Sequence, residues 1–224
     1  ETPDCDYTPT VLEYVDGQGQ TRSIDIEVKI RGGWRSLTRN CSAQLLFIRF
    51  NEQQTAGTPF AGQSMLPLTT HCGRGLSLES SQVKQSHVTW EQYLLKEYLA
   101  YRILNLFSDR SFNVRLLRVT YVDTDKESEP RESYAFFIED EKHIGDRLGL
   151  EHLKIPKTKY AALDPAHANL INVYEYLIAN TDFSLIQGAM GEDCCHNSIL
   201  YQNDDGSYIS IPYDFDQAGL IDAP

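Results

Sequence analysis

The stretch His196-Asn-Ser-Ile-Leu-Tyr201-Gln-Asn-Asp-Asp-Gly206-Ser-Tyr-Ile-Ser-Ile211-Pro-Tyr-Asp-Phe-Asp216 decides how the last quarter of the chain folds. Ser198 to Tyr201 and Tyr208 to Ile211 read as two short strands, and Asn203-Asp-Asp-Gly206 between them is turn chemistry, so the run predicts a hairpin. Asp204 and Asp205 are read as plain turn residues. A hairpin returns its two ends to one place. Asn197 enters one strand and Asp214 leaves the other, so two residues far apart in sequence can share one ion. With Asp182 upstream, and with His196 and Asp216, the segment gathers the polar groups that phosphoryl transfer requires. That chemistry needs a carboxylate to orient the attacking hydroxyl and hard oxygen donors for a Mg²⁺ ion that keeps several of its waters. The Asp182-to-Asn197 spacing is much wider than in ordinary kinases, so the pattern is that of an atypical one.

Working outward, Leu170, Ile171, Val173, Tyr174, Leu177 and Ile178 form the strongest helical stripe in the chain, and that helix ends at Ala179-Asn-Thr181 to deliver Asp182. Pro156 and Pro165 punctuate the loop before it. The N-terminal part reads as β-rich. Thr10 to Val15 and Ser23 to Ile30 alternate apolar and polar residues around the turn Asp16-Gly-Gln-Gly19, and Gln44 to Phe50 is a further strand. Met65 to Thr70 is a strand interrupted by Pro67. From about Thr89 to Phe107 the period changes to that of a helix, with Leu95, Leu99, Ile103 and Leu106 on the face expected to pack. Asn113 to Tyr121 and Ser133 to Ile138 then read as paired strands around a polar loop from Asp123 to Arg131, and Glu139-Asp140-Glu141 follows as a hinge. The expected organisation is a β-rich part over residues 1–140 with one helix, then a helical part over 141–224 that carries the catalytic groups.

Composition bounds the partners. The chain has 224 residues, long enough for a large single domain or a two-lobed one, with 41% hydrophobic and 11% aromatic residues, as an ordered globule requires. A net charge of −12 disfavours nonspecific binding to nucleic acid or anionic membranes, so any phosphate ligand must be met by local cations. Arg31 and Arg35, around the pair Gly32-Gly33, are candidates for that role, and an ordinary glycine turn is the more favoured reading of the same stretch. No stretch approaches the roughly 18 to 20 apolar residues of a membrane span. The five cysteines (Cys5, Cys41, Cys72, Cys194, Cys195) lack CxxC spacing, and Cys194-Cys195-His196 is too compressed for a comfortable zinc site. Structural thiols or disulfides of an exported protein are the better reading, with Cys41–Cys72 the first pairing expected in an oxidising compartment. A chain that starts at Glu1 and stops just after the Asp214-Phe-Asp216 loop is expected to be an excised piece of a longer protein.

Six segments together resemble the motifs of the spore-coat H (CotH-type) atypical kinases: Val28-Lys-Ile-Arg-Gly-Gly-Trp-Arg-Ser36, Lys96-Glu-Tyr-Leu-Ala-Tyr-Arg102, Phe136-Phe-Ile-Glu139, Asn180-Thr-Asp182, His196-Asn197 and Ile211-Pro-Tyr-Asp-Phe-Asp216. The resemblance spans about residues 23 to 219, and its specificity lies in the last three motifs taken together. It implies an α+β, two-lobed protein-kinase-like fold, an N-terminal antiparallel sheet with one helix followed by a helical lobe with the metal-site hairpin. It further implies a secreted, periplasmic or cell-envelope kinase that binds Mg²⁺ and ATP and phosphorylates a protein substrate, itself included. Asp182 would be the catalytic base and Asn197, Asp214 and Asp216 the metal ligands. Glu97 would partner a phosphate-binding cation, and Arg31, Arg35, Arg49 and Glu139 would complete the nucleotide site. The strand Gln44 to Phe50 offers Arg49 where a phosphate-holding lysine is expected, and Arg does not automatically replace Lys. That departure favours the alternative of a pseudokinase or cell-surface interaction module, and a third reading is a metal-dependent hydrolase with His196 as general base.

Overall fold

The computed structural model describes residues 6–37, 40–41, 43–73, 80–125 and 129–222, with the backbone alone for residues 34 and 80–89. Cys5 and the middle of the polar loop after Asp125 lie outside the described residues. The fold is of the α+β class. The chain forms two compact units, one from Glu1–Trp90 and Leu117–Ile138, the other from Glu91–Leu116 and Glu139–Pro224. One crossing falls beside the boundary expected at 140, and residues 91–116 gather with the C-terminal part.

The first unit is built on a six-stranded sheet of β1 (Thr8–Val15), β2 (Thr21–Arg31), β3 (Leu45–Phe50), β4 (Met65–Thr70), β5 (Val114–Tyr121) and β6 (Arg131–Ile138), in the order β1-β2-β3-β4-β6-β5. Alternation makes it one-sided. Ile24 and Ile26 of β2 are buried while Ser23 and Asp25 between and beside them are exposed. The apolar face joins Ile24, Ile26, Ile48, Phe50, Leu66, Leu68, Ala135 and Phe137 into one core. After the short helix α1 (Glu52–Thr55), capped by Asn51, the chain lays Phe60 on that face, stacked 5.0 Å from Phe50 and edge-on to Tyr14 and Phe137. Pro67 does not break β4. It pairs with Phe47 of β3 one residue beyond the β4–β6 ladder, which begins at Leu68, so its missing N–H costs no bond to β6.

The second unit takes in most of α2 (Ser80–Phe107), which starts earlier than its apolar period suggests. The face of α2 is also rotated from the expected one. Leu94, Glu97, Ala100, Tyr101 and Leu104 are buried, whereas Leu99 and Leu106 are 52% and 81% exposed. Glu139, Asp140 and Glu141, expected as a hinge, stand where the second unit resumes. Asp140 caps α3 (Glu141–Leu148), and the Glu139 carboxylate accepts hydrogen bonds from Asn113 and from Arg147. A small antiparallel sheet of β7 (Glu151–His152), β8 (Ser198–Gln202) and β9 (Tyr208–Pro212) contains the expected hairpin, in register from Ser198↔Pro212 to Gln202↔Tyr208. Its turn closes through Gly206 N–H to Asn203 O, with Gly206 at φ 83°. The helix α4 (Pro165–Leu177) starts with Asp164 capping the His167 N–H and Pro165 in the first turn. It buries His167, Ala168, Ile171, Tyr174 and Glu175. Val173 and Leu177 of the expected stripe are exposed instead.

Candidate functional site

The residues singled out at the C-terminal end belong to one unit, and the local fold explains how they meet. Beyond α4, Ala179 takes a left-handed conformation (φ 54°) that stops the helix and turns the chain toward Asn180-Thr181-Asp182. Asn180 is buried, and its Oδ1 accepts the Asp182 N–H at 3.0 Å. The loop that follows returns to the same place through Ser184 N–H to His196 O and His196 N–H to Gln187 O, both 3.0 Å. Within it, Cys194 and Cys195 are bonded to each other, so they offer no thiolate to a metal.

Two side chains converge on the Asp182 carboxylate. A carboxylate can only accept, so His196 Nε2 donates to Asp182 Oδ1 at 2.9 Å. Asn197 Nδ2 donates to both Asp182 Oδ2 (3.0 Å) and the Asp182 carbonyl (2.7 Å). The Asp182 and His196 side chains remain 32% and 41% exposed, so the carboxylate is oriented yet open to solvent. Asn197 itself is left-handed at φ 51°, a conformation that asparagine tolerates better than most residues.

Asp214 joins this group through the mouth of the hairpin. The Tyr213 N–H donates to Asn197 O at 2.9 Å, which puts Asp214 one residue beyond a backbone bond to the neighbour of His196. Asp214 is also left-handed (φ 58°), and its N–H donates to the hydroxyl of Tyr101 at 2.8 Å. Phe215 is fully buried, edge-on to the rings of Tyr101 (4.7 Å) and Tyr174 (5.8 Å). Non-glycine residues at positive φ are uncommon and cluster where surrounding structure fixes them for a purpose. Two of the four in the described chain are Asn197 and Asp214.

Among the described residues, no three His, Cys, Asp or Glu side chains are gathered as a metal-binding group on their own. The donor set around the hairpin mouth is oxygen-rich. With its amide nitrogen turned to Asp182, Asn197 leaves Oδ1 without a hydrogen bond among the described residues, and Asp214 and Asp216 follow it at the other strand end. Carboxylates plus an amide oxygen fit a hard cation such as Mg²⁺ better than zinc.

The other residues named from the sequence lie in different surroundings. Arg31 donates to Thr69 Oγ1 at 3.0 Å, and Arg35 donates to the carbonyl of Thr70, so both cations sit on the end of β4 in the first unit. Arg49 pairs with Glu27 at 3.1 Å and lies 3.4 Å over the ring of Tyr7. Glu97 is 4% exposed, a core position in the second unit. Glu139 is held by Arg147 and Asn113. Sequence reasoning did not assign Asn180 or Tyr101 a role at the site. Both lie inside quoted motif segments, Asn180-Thr-Asp182 and Lys96 to Arg102, but only as neighbours of the residues given roles there.

The class that fold and site define is an α+β protein with an Asp–His–Asn cluster at the mouth of a hairpin. No family model matches the chain, and no curated protein or solved structure matches it either.

Proposed function

We propose that the chain is a CotH-type atypical kinase that transfers the γ-phosphoryl group of Mg-ATP to a protein hydroxyl, with its two units acting as the two lobes of a kinase-like fold. One observation carries the reading. Asp182 is clamped by His196 and Asn197, and the Tyr213–Asn197 backbone bond puts Asp214 at the same hairpin mouth. In this reading Asp182 takes the proton of the attacking hydroxyl as the new O–P bond forms and the bond to the ADP oxygen breaks. His196 and Asn197 keep the Asp182 carboxylate aimed at the acceptor. Asn197 Oδ1, Asp214 and Asp216 would hold Mg²⁺, which neutralises charge on the transferring group. Arg31 and Arg35 are the candidate phosphate-binding cations, and Glu97 and Glu139 the candidate supports of the nucleotide.

The acceptor is proposed to be a protein, the chain itself included, rather than a nucleic acid, in keeping with its net charge of −12. Two disulfides, Cys41–Cys72 and Cys194–Cys195, support a secreted, periplasmic or envelope setting. Among the described residues no helix is long and apolar enough to cross a membrane.

A second reading, an interaction module that keeps this architecture without turnover, is favoured by the engagement of Arg49 with Glu27 and Tyr7. Calorimetric titration of Mg-ATP into the protein and into Asp214→Ala separates the two. Binding that is lost in the variant supports the phosphotransferase and makes autophosphorylation the next assay. Absence of binding to either protein overturns it in favour of the interaction module.

A further inference from the structure

We propose that Glu175 is a positioning residue for Asp182: buried on α4, it holds Asn180, and Asn180 holds the Asp182 backbone in the place where His196 and Asn197 meet its carboxylate. The naming of Asp182 as the base rests on the reading above, whereas the linkage itself does not.

Glu175 is 1% exposed on the same face of α4 as Ile171, Tyr174 and Ile178. Its Oε2 accepts from Asn180 Nδ2 at 2.9 Å, and its main-chain carbonyl accepts the Asn180 N–H at 2.8 Å. Asn180 is itself 5% exposed and spends its remaining oxygen on the Asp182 N–H. The left-handed Ala179 makes this return possible, because a continuing helix would carry residue 180 away from the side chain of Glu175. Helix end, carboxyl, amide and catalytic backbone form one connected path.

A residue kept for packing alone would be apolar here. Glu175 instead has one oxygen, Oε1, without a hydrogen-bond partner among the described residues, and no ion pair balances it there. The groups acting on it are the Asn180 amide and the desolvation of its surroundings, and Tyr174 beside it feels its charge. Burial pushes the Glu175 carboxyl up to about 7, toward the neutral acid, which asks for less compensation than a buried anion. A buried carboxyl hydrogen-bonded into the turn that leads to Asp182 is placed to fix that turn.

The test follows the Asp182 amide by hydrogen exchange, alongside kcat and KM for Mg-ATP, in the full chain and in Glu175→Gln, Glu175→Leu and Asn180→Ala. Gln keeps an acceptor oxygen for Asn180, so Asp182 protection and turnover stay near those of the parent. In Glu175→Leu and Asn180→Ala, Asp182 exchanges at least about tenfold faster while β8 and β9 amides are unchanged, and kcat falls about tenfold or more with KM within about twofold. Should the Leu variant not fold, Glu175→Ala, which removes the same acceptor without adding a branched side chain, takes its place. Unchanged Asp182 protection in a folded Asn180→Ala or Glu175→Leu overturns the proposal, as does a loss spread evenly over α4. A parent protein without Mg-ATP turnover removes the phosphotransfer reading alone, because the exchange pattern tests the Glu175 linkage without it.

Discussion

At the residue scale the site depends on a few hydrogen bonds that hold Asp182 and the left-handed Asn197 and Asp214 in place. Asp214 keeps a left-handed conformation while its N–H is received by the buried hydroxyl of Tyr101. Removing that acceptor leaves a backbone donor unmet, at about 1–3 kcal/mol. Tyr101→Phe keeps the ring that packs against Phe215. The expected outcome is a folded protein with a modestly lower melting temperature and about tenfold weaker Mg-ATP affinity, each tenfold being about 1.4 kcal/mol. Thermal melting and calorimetry on the same sample check it. A variant that loses stability but keeps full affinity would show that Tyr101 supports the core and not the Asp214 backbone.

At the scale of elements, α4 and the loop after β9 lean on one another. Gly219 N–H and Leu220 N–H donate to the carbonyls of Ala179 and Ile178, so the segment that follows Asp214 and Asp216 is sewn to the helix end that delivers Asp182. A Cβ on Gly219 would lie 2.8 Å from the Cβ of Ala179, too close for two carbons. Gly219→Ala is therefore expected to cost about 1–3 kcal/mol in denaturant unfolding. Ala179→Gly removes the obstructing Cβ and suits the left-handed backbone, so the double variant should recover most of the loss. Simple additivity of the two would show that the contact is not the cause.

Two of the buried titratable groups on helix α4 shift in opposite senses. The Glu175 carboxyl, ordinarily at 4.5, is raised to about 7 by burial, so the stability of its neutral form is complete below 4.5 and is lost as pH rises through about 7. His167, whose Nε2 donates to Ser210 O at 3.0 Å, is lowered from 6.5 by burial, so its contribution is complete above 6.5 and is lost as pH falls through its folded value. Between 4.5 and 6.5 the two slopes oppose each other. Glu175→Gln removes one of them, and unfolding measured across that range should gain stability with pH relative to the parent, by up to about 3 kcal/mol at neutral pH. An unchanged difference between the two proteins across the range would show that Glu175 does not titrate in the fold.

The same elements show what could be read in advance. β1 and β2 were legible because apolar and polar residues alternate along them, and the hairpin because Asn203-Asp-Asp-Gly206 specifies its turn. The phase of the helices was not. On α2 the burial of Glu97 and Tyr101 displaces the face from the leucines, since a tertiary partner and not hydropathy selects which turn is covered. On α4 a buried Glu175 hid among apolar neighbours although its spacing from Ile171 and Ile178 places it on their stripe. Meeting of Asn197 and the Asp214 loop followed from hairpin geometry, whereas the supporting roles of Asn180 and Tyr101, though both fall inside quoted motifs, depend on hydrogen bonds that no motif spells out.

For the whole molecule the question is what holds a charge of −12 in a compact state, and in the first unit part of the answer is covalent. Cys41 and Cys72 form the pairing anticipated from the sequence, with a separation of 31 residues that encloses β3 and β4. Around it Ala43 N–H donates to Cys72 O, Gln44 Nε2 to Cys41 O, and the Thr70 hydroxyl to Gln44 O, while Arg35 caps the Thr70 carbonyl. The cross-link thus closes the stretch between the Arg31-Gly-Gly-Trp-Arg35 motif and the end of β4. In the chain-entropy account a loop of this length is worth roughly 3–4 kcal/mol, through the unfolded state it forbids. Cys41→Ser with Cys72→Ser is expected to lower the denaturant midpoint accordingly, and peptide-resolved hydrogen exchange should show β3 and β4 losing protection first. The site residues of the second unit supply an internal reference. Their protection should change less than that of β4, because Asp182 and Asp214 are tied by α4, α2 and the hairpin and not by this disulfide. Equal loss in β4 and at Asp182 would mean that the cross-link stabilises the chain globally and not through β3 and β4.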